Sequence, residues 1–336
     1  MAGATVAAAA AVLTLAITGH WITKKRHRRR PLVRLEYINN ITSATDICSI
    51  LKRDGAVIIE NVVERDKMRQ LQSDILALQD TEYSGTAESS FAGAHTRRCG
   101  PYVLETSVVA RQLAAHELHT RVSELLLAPV CQRIRLSVVA GIRVMPGGQP
   151  QTLHRDDDEW PLSLMGRVKH GIEVECSAMW AITDFTATNG ATQVVVGSQG
   201  WHGQYDAVPS REACQSAVMS AGSVLLFTGS VWHGTGANTE AVDNAAGATT
   251  ATSTTRRMGL LVQHIAGWLH PEYNLHFSVA PHVAAAKFEP PLKALLGFDG
   301  PMLFQNKSDL PGPIYATSYT GFPDRKDADF SQAQQQ

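Results

Sequence analysis

Between Thr42 and Ala128 apolar positions recur at helical spacing, interrupted by one short apolar run. Thr42 to Arg53 predicts a helix, which leads into GAVIIENVV (Gly55 to Val63), a short buried strand. In ERDKMRQLQSDILALQD (Glu64 to Asp80), Met68, Leu71, Ile75 and Leu78 fall on one face, as expected of an amphipathic helix lying on a core. Residues 81 to 101 are small and polar and read as a surface loop. Val108 to Ala128 predicts another helix, with Leu113, Leu118, Val122, Leu125 and Leu126 apolar; His116 and His119 on it read as surface or core histidines rather than ligands.

From Cys131 the texture changes to short strands: Arg133 to Val144, Glu173 to Phe185, Thr192 to Val196, Ser223 to Phe227 and Met258 to Ala266. Strands separated by Gly-, Pro- and Asn-rich turns, with no regular helices between them, predict a mainly β fold. The expected architecture is a double-stranded β-helix, a cupin-like jelly roll, with α-helices flanking it. Glu240 to Thr255 is low in complexity and reads as a flexible loop. There is no internal repeat, no Gly-rich phosphate loop and no nucleic-acid-binding signature.

Composition changes this picture only at the start of the chain. Overall, 44% hydrophobic and 18% charged residues with a net charge of −1 are ordinary for a globular protein and give no general attraction to nucleic acid. Residues 2–22 carry no fixed charge and are followed at once by KKRHRRR. That run is about long enough to cross a bilayer as a helix. Basic residues on its C-terminal side would leave everything after Arg30 in the cytosol, the endoplasmic reticulum being the expected membrane. An organelle-targeting peptide is the alternative, because no acidic residue precedes Glu36. The expected organisation is therefore an anchor and basic cluster over 1–34, one catalytic domain over 35–323 and a disordered tail over 324–336. Five scattered cysteines without a Cys-x-x-Cys pair suit a reducing compartment.

The candidate chemistry lies in QTLHRDDDEWP (151–161), just after a Pro-Gly-Gly turn. A solvated acidic loop would fit this stretch. So would a metal site, since residues i and i+2 of an extended chain point to one side and His154 and Asp156 could share one ligand. A second histidine, His233, begins a strand in SVLLFTGSVWHGTGANT, with Gly234 and Gly236 allowing close approach of the backbone. Two histidines and one carboxylate form the facial set of non-haem Fe(II) oxygenases, which leaves the opposite face of an octahedron open.

At these residues the chain resembles the phytanoyl-CoA dioxygenase family of Fe(II)- and 2-oxoglutarate-dependent oxygenases, especially its fungal secondary-metabolite members. The matching pieces, in order, are GAVIIENVV, QTLHRDDDEW, NGATQVVVGSQ, VWHGTGAN and RRMGLLVQHIAGWLHPEYN, spanning Gly55 to about Asn274. The resemblance implies that His154, Asp156 and His233 ligate iron. It implies that Arg257, or Arg256 one residue away on the opposite face, anchors the distal carboxylate of 2-oxoglutarate, with Gln151 and Thr192 as further cosubstrate contacts. The implied reaction consumes dioxygen and 2-oxoglutarate, releases succinate and carbon dioxide, and oxidises an unactivated C–H bond. A lipophilic fatty-acyl, terpenoid or polyketide substrate would suit a membrane tether.

Some features depart from the pattern. Arg257 follows His233 by 24 residues, the excess being the Ala/Thr-rich loop, and Gln199 and Val196 replace the family's histidine and proline. Asp156 is retained, which disfavours a halogenase. Asp157 and Asp158 read as solvated or supporting residues, Trp160 as a core or rim tryptophan, and His202 and His264 as satisfied polar residues. His270-Pro-Glu272 is a poor rival ligand pair in its proline-containing loop. Two other classes stay open: a cupin-like metal protein without 2-oxoglutarate turnover, and an inactive membrane-anchored scaffold.

Overall fold

The computed structural model describes residues 33–79, 91, 93–160, 172–201, 208–241 and 256–298. They belong to one unit that begins at Val33. Residues 2–22, the basic cluster, most of the Ala/Thr-rich loop, His202 and the tail over 324–336 lie outside the described residues. Among the described residues no helix is long and apolar enough to cross a membrane.

Ten strands form two sheets among the described residues. In chain order they are Glu36–Asn39 (β1), Ala56–Glu60 (β2), Thr96–Cys99 (β3), Ile134–Val144 (β4), Glu175–Ala181 (β5), Thr192–Val194 (β6), Gln215–Ser216 (β7), Val224–Thr228 (β8), His233–Thr235 (β9) and Arg257–Ala266 (β10). The larger sheet runs β1-β2-β8-β5-β10-β4-β3 and the smaller β7-β6-β9. All pairings are antiparallel except β1 with β2. This is the two-sheet jelly roll expected from the turn-separated strands.

Side-chain alternation divides the core in two. Ile58, Val138, Ala140, Met179, Leu225 and Phe227 of the large sheet pack with Val194 and Val196 in the barrel interior. Val57, Trp180, Leu226, Leu260 and Val262 face the other way, onto the helices. These are Ala44–Asp54 (α1), Arg65–Gln79 (α2), Val103–Thr106 (α3), Val108–Ala114 (α4) and Glu117–Leu127 (α5), with short helices at Leu275–Ser278, Pro281–Lys287 and Pro290–Leu295. Ser43 caps α1 by accepting from the Asp46 N–H, and Gly55 ends it in the left-handed conformation. Met68, Leu71 and Ile75 of α2 are at most 1% exposed. Each such burial contributes about 1.5–3 kcal/mol, so this face holds α2 against the sheet.

Three expectations need correction. The helix expected over Val108 to Ala128 is two helices, because His116 leaves helical geometry (φ −62°, ψ 128°) at the start of α5. Apolar spacing continues across the break, so periodicity does not reveal it. Within 81 to 101, Thr96–Cys99 is a strand and not loop; it pairs with β4 at the edge of the sheet, and its two arginines are half-buried. The strand expected over Glu173 to Phe185 ends at Ala181.

Candidate metal centre and cosubstrate pocket

β10 sets one wall of the site. Its even positions Met258, Leu260 and Val262 belong to the helix-side core, while Arg257 and Gln263 are buried on the opposite, odd-numbered face. His154 and His233 come from different segments joined by a two-residue antiparallel bridge, each N–H donating to the other's carbonyl at 2.9 and 3.0 Å. Asp156 begins a single 3-10 turn, Asp156–Glu159. The chain is therefore extended only through Arg155 (φ −121°, ψ 133°), which corrects the expectation of a continuous extended run. One extended residue is enough to turn His154 and Asp156 to the same side.

His154, Asp156 and His233 each offer one ligand atom, and these atoms lie within 4.8 Å of one another. Both imidazole Nε2 atoms stand 3.4 Å from Asp156 Oδ1. The far nitrogens are engaged: His154 Nδ1 lies 2.9 Å from the Thr152 carbonyl and His233 Nδ1 3.1 Å from that of Val231. A carbonyl only accepts, so each Nδ1 carries a proton, and the Nε2 that faces Asp156 is the nitrogen left to give a lone pair to a metal or, without one, to hold a second proton against the carboxylate. Burial alone would raise the Asp156 carboxyl, but the charge of His233 and hydrogen bonds from both histidines hold it below the usual carboxylate range. Burial likewise opposes charge on His233, and the Asp156 carboxylate more than offsets it. Two neutral-capable imidazoles and a reliably ionised carboxylate are the donor set of a divalent iron site.

A second polar point lies at the start of β10. Arg257 is 0% exposed and donates through Nη2 to Thr192 Oγ1 at 2.7 Å. Its guanidinium stacks over the Phe185 ring, 4.2 Å from the centroid. Nε and Nη1 have no hydrogen-bond partner among the described residues. Burial, reinforced by Arg98, lowers its pKa to about 9. A buried guanidinium with two donors unmatched among the described residues fits a carboxylate that those residues do not supply. Arg256 is less buried and contributes its carbonyl to the Thr183 hydroxyl, so Arg257 is the inward-facing residue of the pair. Gln151 sits against β9, its Oε1 accepting from the Thr235 N–H at 3.1 Å.

Several residues around the site were not singled out from sequence. Gln263 Nε2 donates to Asp156 Oδ2 at 2.7 Å. Glu175 is buried, its pKa raised well above normal by desolvation and then by Asp156. Arg155, between two of the triad residues, lies 4.7 Å from the Trp232 ring, which immediately precedes the third. Phe91 meets His154 edge-on at 4.8 Å, and Phe227 lies 4.6 Å from His233. Arg98, Glu272 and Tyr273 interact near the mouth, and burial together with the Asp156 and Glu159 charges pushes Glu272 up to about 7. A lone Gln in the apolar strand RMGLLVQHIA, and a Glu opening ECSAMWA, are the sequence signals that could have found the first two.

Other expectations resolve as follows. Asp157 is buried and Asp158 exposed. Trp160 is a rim residue that donates to the His270 carbonyl. His264 is a satisfied core residue between Ser123 and the Ala114 carbonyl. Gln199 donates to the Arg53 carbonyl at the end of α1, so that departure from the family pattern serves the packing of α1.

Residues 51–242 match the family model for phytanoyl-CoA dioxygenase (PhyH). The chain is 31% identical to the dioxygenase FUM3 of Gibberella moniliformis over 213 residues, covering 60% of this chain and 70% of that protein. It is 27% identical to the dioxygenase trt7 of Aspergillus terreus over 205 residues, with the same shares covered. Among solved structures it resembles the non-heme alpha ketoglutarate dependent epimerase SnoN from nogalamycin biosynthesis, with a TM-score of 0.51 and 18% identity over 66% of this chain and 82% of that one; this likeness concerns the fold alone. With the family match covering more than half of its length, the chain belongs to the phytanoyl-CoA dioxygenase family and is a 2-oxoglutarate-dependent non-haem iron dioxygenase.

Proposed function

We propose that His154, Asp156 and His233 hold Fe(II), that Arg257 with Thr192 receives the distal carboxylate of 2-oxoglutarate, and that the enzyme hydroxylates an unactivated C–H bond of a lipophilic small molecule. The observation that carries this reading is the unmatched Nε and Nη1 of fully buried Arg257, in a barrel that also gathers the three ligand atoms. When bound, iron and 2-oxoglutarate supply the oxidising chemistry, with dioxygen consumed and succinate and carbon dioxide released.

The chain's own contribution is arrangement. The Thr152 and Val231 carbonyls hold the Nδ1 proton of each imidazole, so Nε2 is the nitrogen that faces the metal, and any proton shared there with Asp156 is the one the metal displaces. Asp156 is already ionised at neutral pH. Arg257 offers a planar fork that suits a carboxylate better than a point charge would. Gln151, anchored on Thr235, is included as a cosubstrate contact through its match to the family position. The aromatic rings of Phe91 and Phe227 beside the two histidines favour an apolar carbon close to the metal, and this supports a lipophilic substrate.

The membrane tether belongs to the same proposal. It rests on the uncharged run over 2–22 and the KKRHRRR that follows, and it assigns the catalytic domain to the cytosolic side of the endoplasmic reticulum.

The test is succinate release from 2-oxoglutarate by purified protein given Fe(II) and dioxygen, beside His154→Ala, Asp156→Ala and His233→Ala. Turnover that all three substitutions abolish is expected. Iron binding without any succinate from the unaltered protein would instead favour a cupin-like metal protein. Fractionation of cells expressing the full chain and a chain lacking residues 2–22 tests the tether; equal membrane recovery of the two would reject it.

A further inference from the structure

We infer that Gln263 is a positioning residue that keeps Asp156 to a single metal-directed oxygen, and so preserves the coordination position that dioxygen needs. The inference rests on the proposed iron site and deepens it.

The two oxygens of Asp156 have different surroundings. Oδ1 faces both histidine Nε2 atoms at 3.4 Å. Oδ2 accepts from Gln263 Nε2 at 2.7 Å. Gln263 is 3% exposed, so water has little access to compete for that bond. The amide comes from the middle of β10, paired with Ser177 on one side and Val138 on the other. Immediately beyond it the register with β4 shifts: His264 pairs with Leu136, and Ser137 is passed over. The bulged Ser137 takes the following loop, accepting from the Glu272 N–H through Oγ and from the Tyr273 N–H through its carbonyl. The irregularity thus ties together the strand that carries Gln263 and the segment at the mouth, as bulges beside active sites commonly do.

The consequence follows from counting positions. A carboxylate that turned both oxygens to an octahedral ion would occupy two positions, and two histidines would bring the total to four. A chelating 2-oxoglutarate would fill the last two, leaving none for dioxygen. With Oδ2 held by Gln263, three protein atoms leave three positions, two for the cosubstrate and one for dioxygen. A neutral amide suits this task because it engages one oxygen without cancelling the carboxylate charge. A lysine or arginine there would compete with the metal for that charge.

The test uses the full chain, purified without oxygen, loaded with Fe(II) and titrated with 2-oxoglutarate while the visible charge-transfer band of the chelate is followed. Gln263→Met, close in length and lacking a donor, is compared with Val262→Ala, a neighbouring core change that faces the helices. The expected result is a band that still forms in every protein but that, on mixing with oxygenated buffer, decays about 10-fold or more slowly in Gln263→Met alone. Decay at the unaltered rate in a folded Gln263→Met protein would overturn the inference while leaving the iron site standing. No band in the unaltered protein would overturn the site reading beneath it. A second measurement needs no variant: the infrared splitting of isotopically labelled aspartate carboxylate on adding Fe(II), compared between the unaltered protein and Asp156→Asn. A splitting of the one-oxygen kind at Asp156 is expected, and a chelating one would overturn the inference even if Gln263→Met failed to fold.

Discussion

Replacing Arg257 with methionine separates function from stability in an unusual way. A guanidinium lowered from 12.5 to about 9 by burial bears a charging cost of about 5 kcal/mol, at 1.36 kcal/mol per unit. Against this stand the bond to Thr192 Oγ1, about 1.5–3 kcal/mol for a charged donor, and the stacking on Phe185, about 1–2 kcal/mol. Removing the head group therefore releases about as much as it forfeits. Without ligand, the stability of Arg257→Met should stay within about 2 kcal/mol of the unaltered protein, on either side. The cosubstrate response should differ sharply. At 100 times its dissociation constant, 2-oxoglutarate should stabilise the metal-loaded unaltered protein by about 2.7 kcal/mol and leave the variant unmoved. Urea denaturation without oxygen, with and without 2-oxoglutarate, measures both quantities. A variant destabilised by more than about 4 kcal/mol without ligand would show that Arg257 is a structural residue, and a variant still stabilised by 2-oxoglutarate would refute the anchor.

Three other predictions concern acid, backbone and packing. His264 is buried and neutral, its pKa lowered to about 4 by burial. Below pH 6.5 the unfolded chain takes up a proton that the folded chain refuses, so stability is complete above pH 6.5 and falls until about pH 4, by roughly 3 kcal/mol from this group. Urea midpoints of metal-free protein at pH 7, 5.5 and 4.5 should show this loss, and His264→Gln should lessen it; identical pH slopes would disprove the assignment. Gly222 has φ +91°, and an added Cβ would lie 2.0 Å from the Val63 carbonyl oxygen, so Gly222→Ala should cost at least about 3 kcal/mol, and a change under 1 kcal/mol by thermal melting would contradict this. Arg155→Met removes the stack on Trp232 that links the two ligand segments. Chelator competition should show Fe(II) affinity reduced by about 10-fold or more, whereas unchanged affinity would make the stack irrelevant to the metal.

The strands other than β1, β3 and β7, and the α1 and α2 helices, were legible because burial on one face imposes a period on the residue types. The clustering of His154, Asp156 and His233 was legible because candidate metal ligands come from few residue types and two of these stand two positions apart in sequence. Arg257 could be separated from Arg256 in principle, since a strand sends neighbours to opposite faces. Other features were illegible for physical reasons. The break at His116 leaves the apolar period intact, and Thr96–Cys99 is an edge strand whose polar residues look like a loop. Asp157 is buried in a run of acids that composition alone marks as solvated. Gln263 acquires meaning only when folding brings it across 107 positions to Asp156.

The most direct test of the central claim is a crystal structure of the chain with Mn(II), which binds without reacting, and 2-oxoglutarate. The account predicts one metal bonded to His154 Nε2, Asp156 Oδ1 and His233 Nε2, with the distal cosubstrate carboxylate on Nε and Nη1 of Arg257. A metal bound elsewhere, or a carboxylate that leaves those two nitrogens unmatched, would contradict it.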